Sequence, residues 1–160
     1  MRRIVALSAL FAGVLLGCDR STEPAKRSPL RLSLDAPATV VQGDMMRLTI
    51  TITNSSSATH TAVFPGSVET LYVNAVALST AGDTAWASPG WVTLPAASMT
   101  FAPGGNHSVP MQWALIDRQG TPVAPGTYRL KAWLPTISSG GYGPDEILHS
   151  PETPIIVVTR

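Results

Sequence analysis

From Leu30 onward, apolar and polar residues alternate with a period of two. Leu30, Leu32 and Leu34 alternate with Arg31, Ser33 and Asp35, and Pro37 and Gly43-Asp44 then punctuate. Arg47 to Thr53 is the clearest strand, with Leu48, Ile50 and Ile52 on one face and three threonines on the other. Such alternation is the signature of an antiparallel sheet with one solvated face. Asn54-Ser55-Ser56-Ser57 ends it as a turn. Shorter strands are predicted over 60–64 and 70–78. Gly82-Asp83 then makes a tight turn that returns 84–87 as a hairpin partner. The pattern predicts a strand over 99–102. Another follows over 107–116, with Pro110 inside it demanding an edge position or a bulge. In 127–134, Tyr128, Leu130, Ala132 and Leu134 share one face, and Arg129, Lys131 and Trp133 the other. Residues 135–144 (PTISSGGYGP) read as a glycine-rich loop, and 154–159 as a closing strand that is apolar on both faces.

This predicts seven to nine short strands with turn signals every 8–12 residues and no helix in the domain. The expected fold class is all-β, an immunoglobulin-like antiparallel β-sandwich; a closed barrel is the alternative.

The start of the chain breaks the pattern. Arg2 and Arg3 precede an uncharged apolar run from Ile4 to Leu16. At 1.5 Å per residue it spans roughly 20 Å, short of the roughly 30 Å hydrocarbon core, so it reads as a secretory signal rather than a spanning helix. It ends in Leu15-Leu16-Gly17-Cys18, which resembles the bacterial lipobox. That resemblance implies cleavage before Cys18 and a diacylglycerol on its sulfur. Cys18 is the only cysteine of the chain, so no intrachain disulfide exists, and lipidation gives the unpaired thiol a role. Residues 1–17 are then the signal peptide, 18–29 the lipidated cysteine and a flexible tether, and 30–160 the domain. As a coil, the polar stretch 19–29 reaches roughly 17–20 Å. Asp19 after the cysteine resembles an inner-membrane retention signal. The expected location is the bacterial cell envelope, with lipid on Cys18 as the membrane partner.

Composition narrows the function. The 160 residues carry 11 Lys and Arg against 10 Asp and Glu, and only 13% are charged. Removal of the leader takes away two arginines and leaves the chain near neutral. That excludes the basic stripe of a nucleic-acid binder. A 44% hydrophobic content argues against general disorder. His60, His107 and His149 show no metal-ligand spacing, and Gly-x-Ser-x-Gly, HExxH and CxxC are absent from the sequence. The acids mostly sit beside turn residues, where they bond local backbone; Asp145-Glu146 is the one pair in a position to form a loop Ca²⁺ site. The expectation is a non-enzyme without cofactor or metal.

Three blocks carry a family resemblance. The first is Leu48 to Ser56. The second is Leu71-Tyr72-Val73-Asn74-Ala75-Val76 with Gly82-Asp83-Thr84-Ala85-Trp86. The third is Trp113, then Gly120-Thr121-Pro122-Val123-Ala124-Pro125-Gly126-Thr127-Tyr128, continuing through Leu130, Ala132 and Leu134. Together, over roughly Met45 to Pro135, they resemble the intracellular proteinase inhibitor (BsuPI) family. Ser79 stands where that family has Asp, and Trp86-Ala87-Ser88 where it has a Trp-x-Trp-like pair. The resemblance implies the sandwich fold and a binding role, with proteinase inhibition as its narrower form. Within the third block, Tyr128 is expected to bury its ring and send its hydroxyl to backbone, as in a tyrosine corner.

Candidate partner-contact residues are aromatic or cationic. Trp133 shares its face with Arg129 and Lys131, a suitable contact patch for a protein or glycan. Trp91 lies in the Pro89-stiffened stretch 87–93, and Tyr142 in the glycine-rich stretch 138–144. The rival reading is a structural or assembly module that pairs by a strand edge with an envelope component.

Overall fold

A computed structural model of the chain describes residues 28–67, 71, 73–88, 96–137 and 144–159. Eleven strands are present among them: β1 (Leu30–Asp35), β2 (Thr39–Val41), β3 (Met46–Asn54), β4 (His60–Pro65), β5 (Asn74–Ser79), β6 (Thr84–Ala87), β7 (Ala96–Phe101), β8 (Asn106–Trp113), β9 (Gly126–Ile137), β10 (Pro144–His149) and β11 (Thr153–Val158). They form an open, immunoglobulin-like sandwich. One sheet has the order β1-β3-β8. The other has the order β2-β11-β9-β5-β6, with β10 also paired to β9, and β4 pairs with β7 as a third, two-stranded unit.

The period-two reading is realised directly. In β1 the burial alternates without a break, and in β3 the apolar positions Met46, Leu48, Ile50 and Ile52 are all buried. They face Ala75, Ala77, Leu130, Ala132, Leu134, Ile155 and Val157 of the second sheet within one core. Each such Leu or Ile contributes about 1.5–3 kcal/mol by leaving water. The Gly82-Asp83 hairpin forms as expected. Gly82 adopts φ +92°, and the Ser79 N–H donates to the Asp83 carbonyl at 2.8 Å. Pro110 of β8 pairs with Thr49 of β3, and β8 lies at the edge of its sheet, where a missing donor is tolerated.

Three expectations need correction. Among the described residues there are eleven strands rather than seven to nine. Residues 135–137 extend β9 instead of beginning a loop, and β10 follows them. The strand predicted to begin at residue 70 starts at Asn74. The closing strand forms as expected and is interior, held between β9 and β2, with β2 parallel to it. Its second apolar face therefore belongs to the sheet's outer surface.

Two corners hold the layers together. Asn54 is fully buried at the end of β3. Its Nδ2 lies 2.8 Å from the Ala58 carbonyl and 3.1 Å from those of Phe101 and Ala102, while its Oδ1 accepts from the Ser56 N–H and hydroxyl. This one amide joins the turn after β3 to the turn after β7. At the other end, Trp113 stacks on Trp86 with ring centroids 5.3 Å apart and meets Tyr128 edge-on at 6.3 Å. The Trp113 Nε1–H donates to the Ile116 carbonyl at 2.8 Å. Between them Leu115 is fully buried at φ 54°, a left-handed backbone rare for a branched side chain. The Val123 N–H donates to its carbonyl at 2.9 Å.

The Tyr128 hydroxyl donates to the Ala124 carbonyl at 2.7 Å, so the tyrosine corner is present. Burial pushes the phenol's pKa above its ordinary value. Ionisation is therefore easier in the unfolded chain, and this contribution to stability is complete below about pH 10. It is lost as pH rises through the higher folded value. Tyr128→Phe should cost about 1 kcal/mol at neutral pH and remove this part of the alkaline decline, as read from chemical melts between pH 8 and 11.

Candidate functional site

The outer face of the second sheet collects the side chains that alternation turns away from the core. Arg129, Lys131 and Trp133 all point outward from β9 and are half-buried. Register supplies their neighbours. Trp133 lies opposite Asn74 of β5 and His149 of β10; Lys131 lies opposite Val76; Arg129 lies opposite Leu78 and Pro154. Ile156 lies opposite Thr127. Ile147, Ile156 and Val158 are exposed at 44, 48 and 36%. The face thus places a tryptophan, a lysine and several aliphatic side chains where alternate polar residues would normally meet water.

Two features modify its electrostatics. Arg129 is 3.0 Å from Glu152, both side chains about two-fifths exposed, so its charge is locally balanced. An exposed pair of this kind contributes at most about 1 kcal/mol. Arg129→Ala should accordingly leave the melting temperature within a few degrees, with any difference fading in 1 M salt. Asn74 is buried beside Trp133, and its Nδ2 has no hydrogen-bond partner among the described residues. An unsatisfied buried donor costs about 1–3 kcal/mol.

Sequence reasoning brought Arg129, Lys131 and Trp133 together correctly on one face. It missed Val76, Leu78, Ile147, Ile156 and Val158. The signal for the last two was present, because the closing strand is apolar at successive positions, and only a strand with two covered or two sticky faces reads that way. Cys18, Trp91 and Tyr142 lie outside the described residues, as do most of 87–93 and 138–144.

A second feature is a concavity of about 810 Å³. The run 58–63 lines it on one side and Thr136, Ile137 and Glu146 on another, with Ser28, Pro29, Ser56 and Ser98 completing the wall. Hydroxyls dominate. His60 and Glu146 are its titratable groups, and Glu146 Oε1 accepts from the Ser28 N–H at 3.3 Å. The three histidines are dispersed. His60 is in this concavity, His107 opposite Ile52 on β8, and His149 beside Trp133. Among the described residues, no three His, Cys, Asp or Glu side chains gather as a metal site would require.

No protein-family model matches the chain, and no curated protein resembles it at a significant level. Solved structures resemble it in the course of the backbone. A CARDB domain from Pyrococcus furiosus, in complex with di-metal ions, is 12% identical with a TM-score of 0.44, over 82% of this chain and 94% of that one. The alkylpurine DNA glycosylase AlkC of Pseudomonas fluorescens, bound to DNA with an abasic-site analogue, is 11% identical with a TM-score of 0.45. A β-glucosidase from Erythrobacter marinus is 17% identical with a TM-score of 0.43. The chain covers 82% and 81% of its own length in these two matches, but only 31% and 15% of the two enzymes.

Proposed function

We propose that this chain is a lipid-anchored protein of the bacterial envelope whose sandwich binds another protein without catalysing a reaction. The observation that carries this reading is the outer face of the second sheet. Exposed Ile147 lies beside half-buried Trp133, and exposed Ile156 and Val158 lie toward the other end of the same face, beyond Lys131 and Arg129, which gives the mixture of aromatic, aliphatic and cationic groups that protein contacts favour. The lipobox-like Leu15-Leu16-Gly17-Cys18 supports the anchor. Two or three acyl chains, at about 0.8 kcal/mol per buried CH₂, make release from a membrane negligible.

The sequence blocks that resemble proteinase inhibitors name the narrower form of the proposal, a serine proteinase as partner. Two experiments test the reading. Cells fed a radiolabelled or clickable palmitate should label the wild-type chain and not Cys18→Ser, which should leave the membrane fraction; labelling of both would remove the anchor. The purified chain should then be titrated against a panel of serine proteinases, with proteinase activity and chain integrity followed together. A sharp one-to-one loss of activity with the chain intact, weakened at least tenfold by Trp133→Ala, supports inhibition through this face. Undiminished activity across the panel, or cleavage of the chain, leaves a binding module without inhibitory activity.

A further inference from the structure

We infer that the concavity beside β4 takes an extended peptide segment carrying a basic side chain, by strand addition to the β4 edge. Side chains of a strand alternate between its two faces. A groove lined by the unbroken run 58–63 therefore touches the edge of β4 and not one face alone. Among the described residues β4 pairs with β7 only. An antiparallel strand with one neighbour directs every second N–H and C=O away from it. In the stretch His60–Val63 those groups lie along the groove. What satisfies such a row is another extended backbone, as in strand-addition complexes.

The opposite wall sets the side-chain preference. Glu146 is half-buried in the groove; among the described residues no Lys or Arg lines it, and the ion pair formed among them is the distant Arg129–Glu152. A half-buried carboxylate with no cationic partner among the described residues selects a Lys or Arg on the incoming strand. Hydroxyls of Ser56, Thr61, Ser98 and Thr136 suit small polar residues at neighbouring positions. The groove shares no residue with the outer face centred on Trp133, so each surface can be removed without altering the other.

The test uses the full chain, held in detergent, against a random heptapeptide library displayed on phage. Enriched peptides should contain one Lys or Arg among β-branched and hydroxyl residues. Thr61→Pro and Ala62→Pro distinguish the two sides of β4: one removes a ladder donor to β7 and lowers stability, the other removes only a donor facing the groove. The variant that keeps its melting temperature should bind the peptides at least tenfold more weakly. Glu146→Gln should weaken them by about three- to fivefold, the range of a partly exposed ion pair, with the difference lost at high salt. Trp133→Ala should bind them normally, even where it abolishes capture of a protein partner. If both proline variants unfold, hydrogen exchange of the wild type decides. Bound peptide should slow the amides of residues 60 and 62, or of 61 and 63. No enrichment, equal binding by a folded proline variant, or unchanged exchange along 60–63 would overturn the inference and leave the outer-face reading standing.

Discussion

Replacing Trp113 with alanine should cost about 3–5 kcal/mol, the range for truncating a large buried aromatic. The side chain is almost entirely buried, stacked on Trp86, met edge-on by Tyr128 and hydrogen-bonded to the Ile116 carbonyl. Its removal therefore opens a cavity, ends two ring contacts and orphans a carbonyl beside a strained residue. Domains of this size hold only about 5–15 kcal/mol in total. A drop of about 10–25 °C in melting temperature is expected, at roughly 2–8 °C per kcal/mol. Trp113→Phe keeps most of the packing and loses the N–H bond, so it should fall between alanine and wild type. Trp133→Ala offers the contrast. That ring is half-exposed on the outer face, and its truncation should be several-fold milder for stability while weakening partner binding.

The Asn54→Ala variant should lose about 2–4 kcal/mol, although Asn is a small polar residue at the end of a strand. Its amide supplies hydrogen to three carbonyls and accepts two bonds from Ser56. Alanine removes all of these bonds; the Ala58 and Ala102 carbonyls keep the Ser56 hydroxyl and the Gly105 N–H as donors, while the buried bond to the Phe101 carbonyl and the one from the Ser56 N–H are lost without replacement, at about 1–3 kcal/mol for each group that water cannot reach. Asn54→Asp is the sharper probe. Its shape is the same, but at neutral pH a carboxylate would face the Ala58, Phe101 and Ala102 carbonyls and could donate to none. It should be less stable than Asn54→Ala at pH 7. Its carboxyl pKa must rise on folding, so the stability lost at pH 7 returns as pH falls through the raised folded value and is fully restored by about pH 4, the ordinary Asp value. Urea melts at pH 7 and pH 4 read both effects. Equal stability of Asn54→Asp and wild type at pH 7 would mean that the corner is not held by this amide.

Much of the fold was legible in the chain because burial follows the pleat. Wherever one face is buried and the other wet, alternation is visible residue by residue, as in β1, β3 and Thr127 to Leu134 of β9. The Gly82 turn and the Tyr128 corner were legible for a related reason, since each depends on groups close together in sequence. What failed was long-range. Pro135 and Thr136 looked like the start of a loop, yet they continue a strand because β10 pairs with them. Asn54 read as a turn residue, and its ties to the β7–β8 turn, nearly fifty residues away, leave no local mark. The candidate surface was half-legible. Arg129, Lys131 and Trp133 share one strand and one parity, so their common face could be read. Val76, Leu78, Ile147 and Ile156 join them only through pairing register with β5, β10 and β11. The β4 groove was not legible at all, because it arises where a two-stranded unit stands beside the second sheet.

The central claim is that the outer face of the second sheet meets a protein partner in the envelope. Photo-crosslinking in intact cells tests it most directly, with a benzophenone amino acid placed in turn at Trp133, Ile156 and the solvated control position Thr100. A discrete adduct of one size from Trp133 and Ile156, absent from Thr100, is the expected result. Adducts from none of the three, or equally from all of them, would contradict the account and mark the face as ordinary solvent-facing sheet.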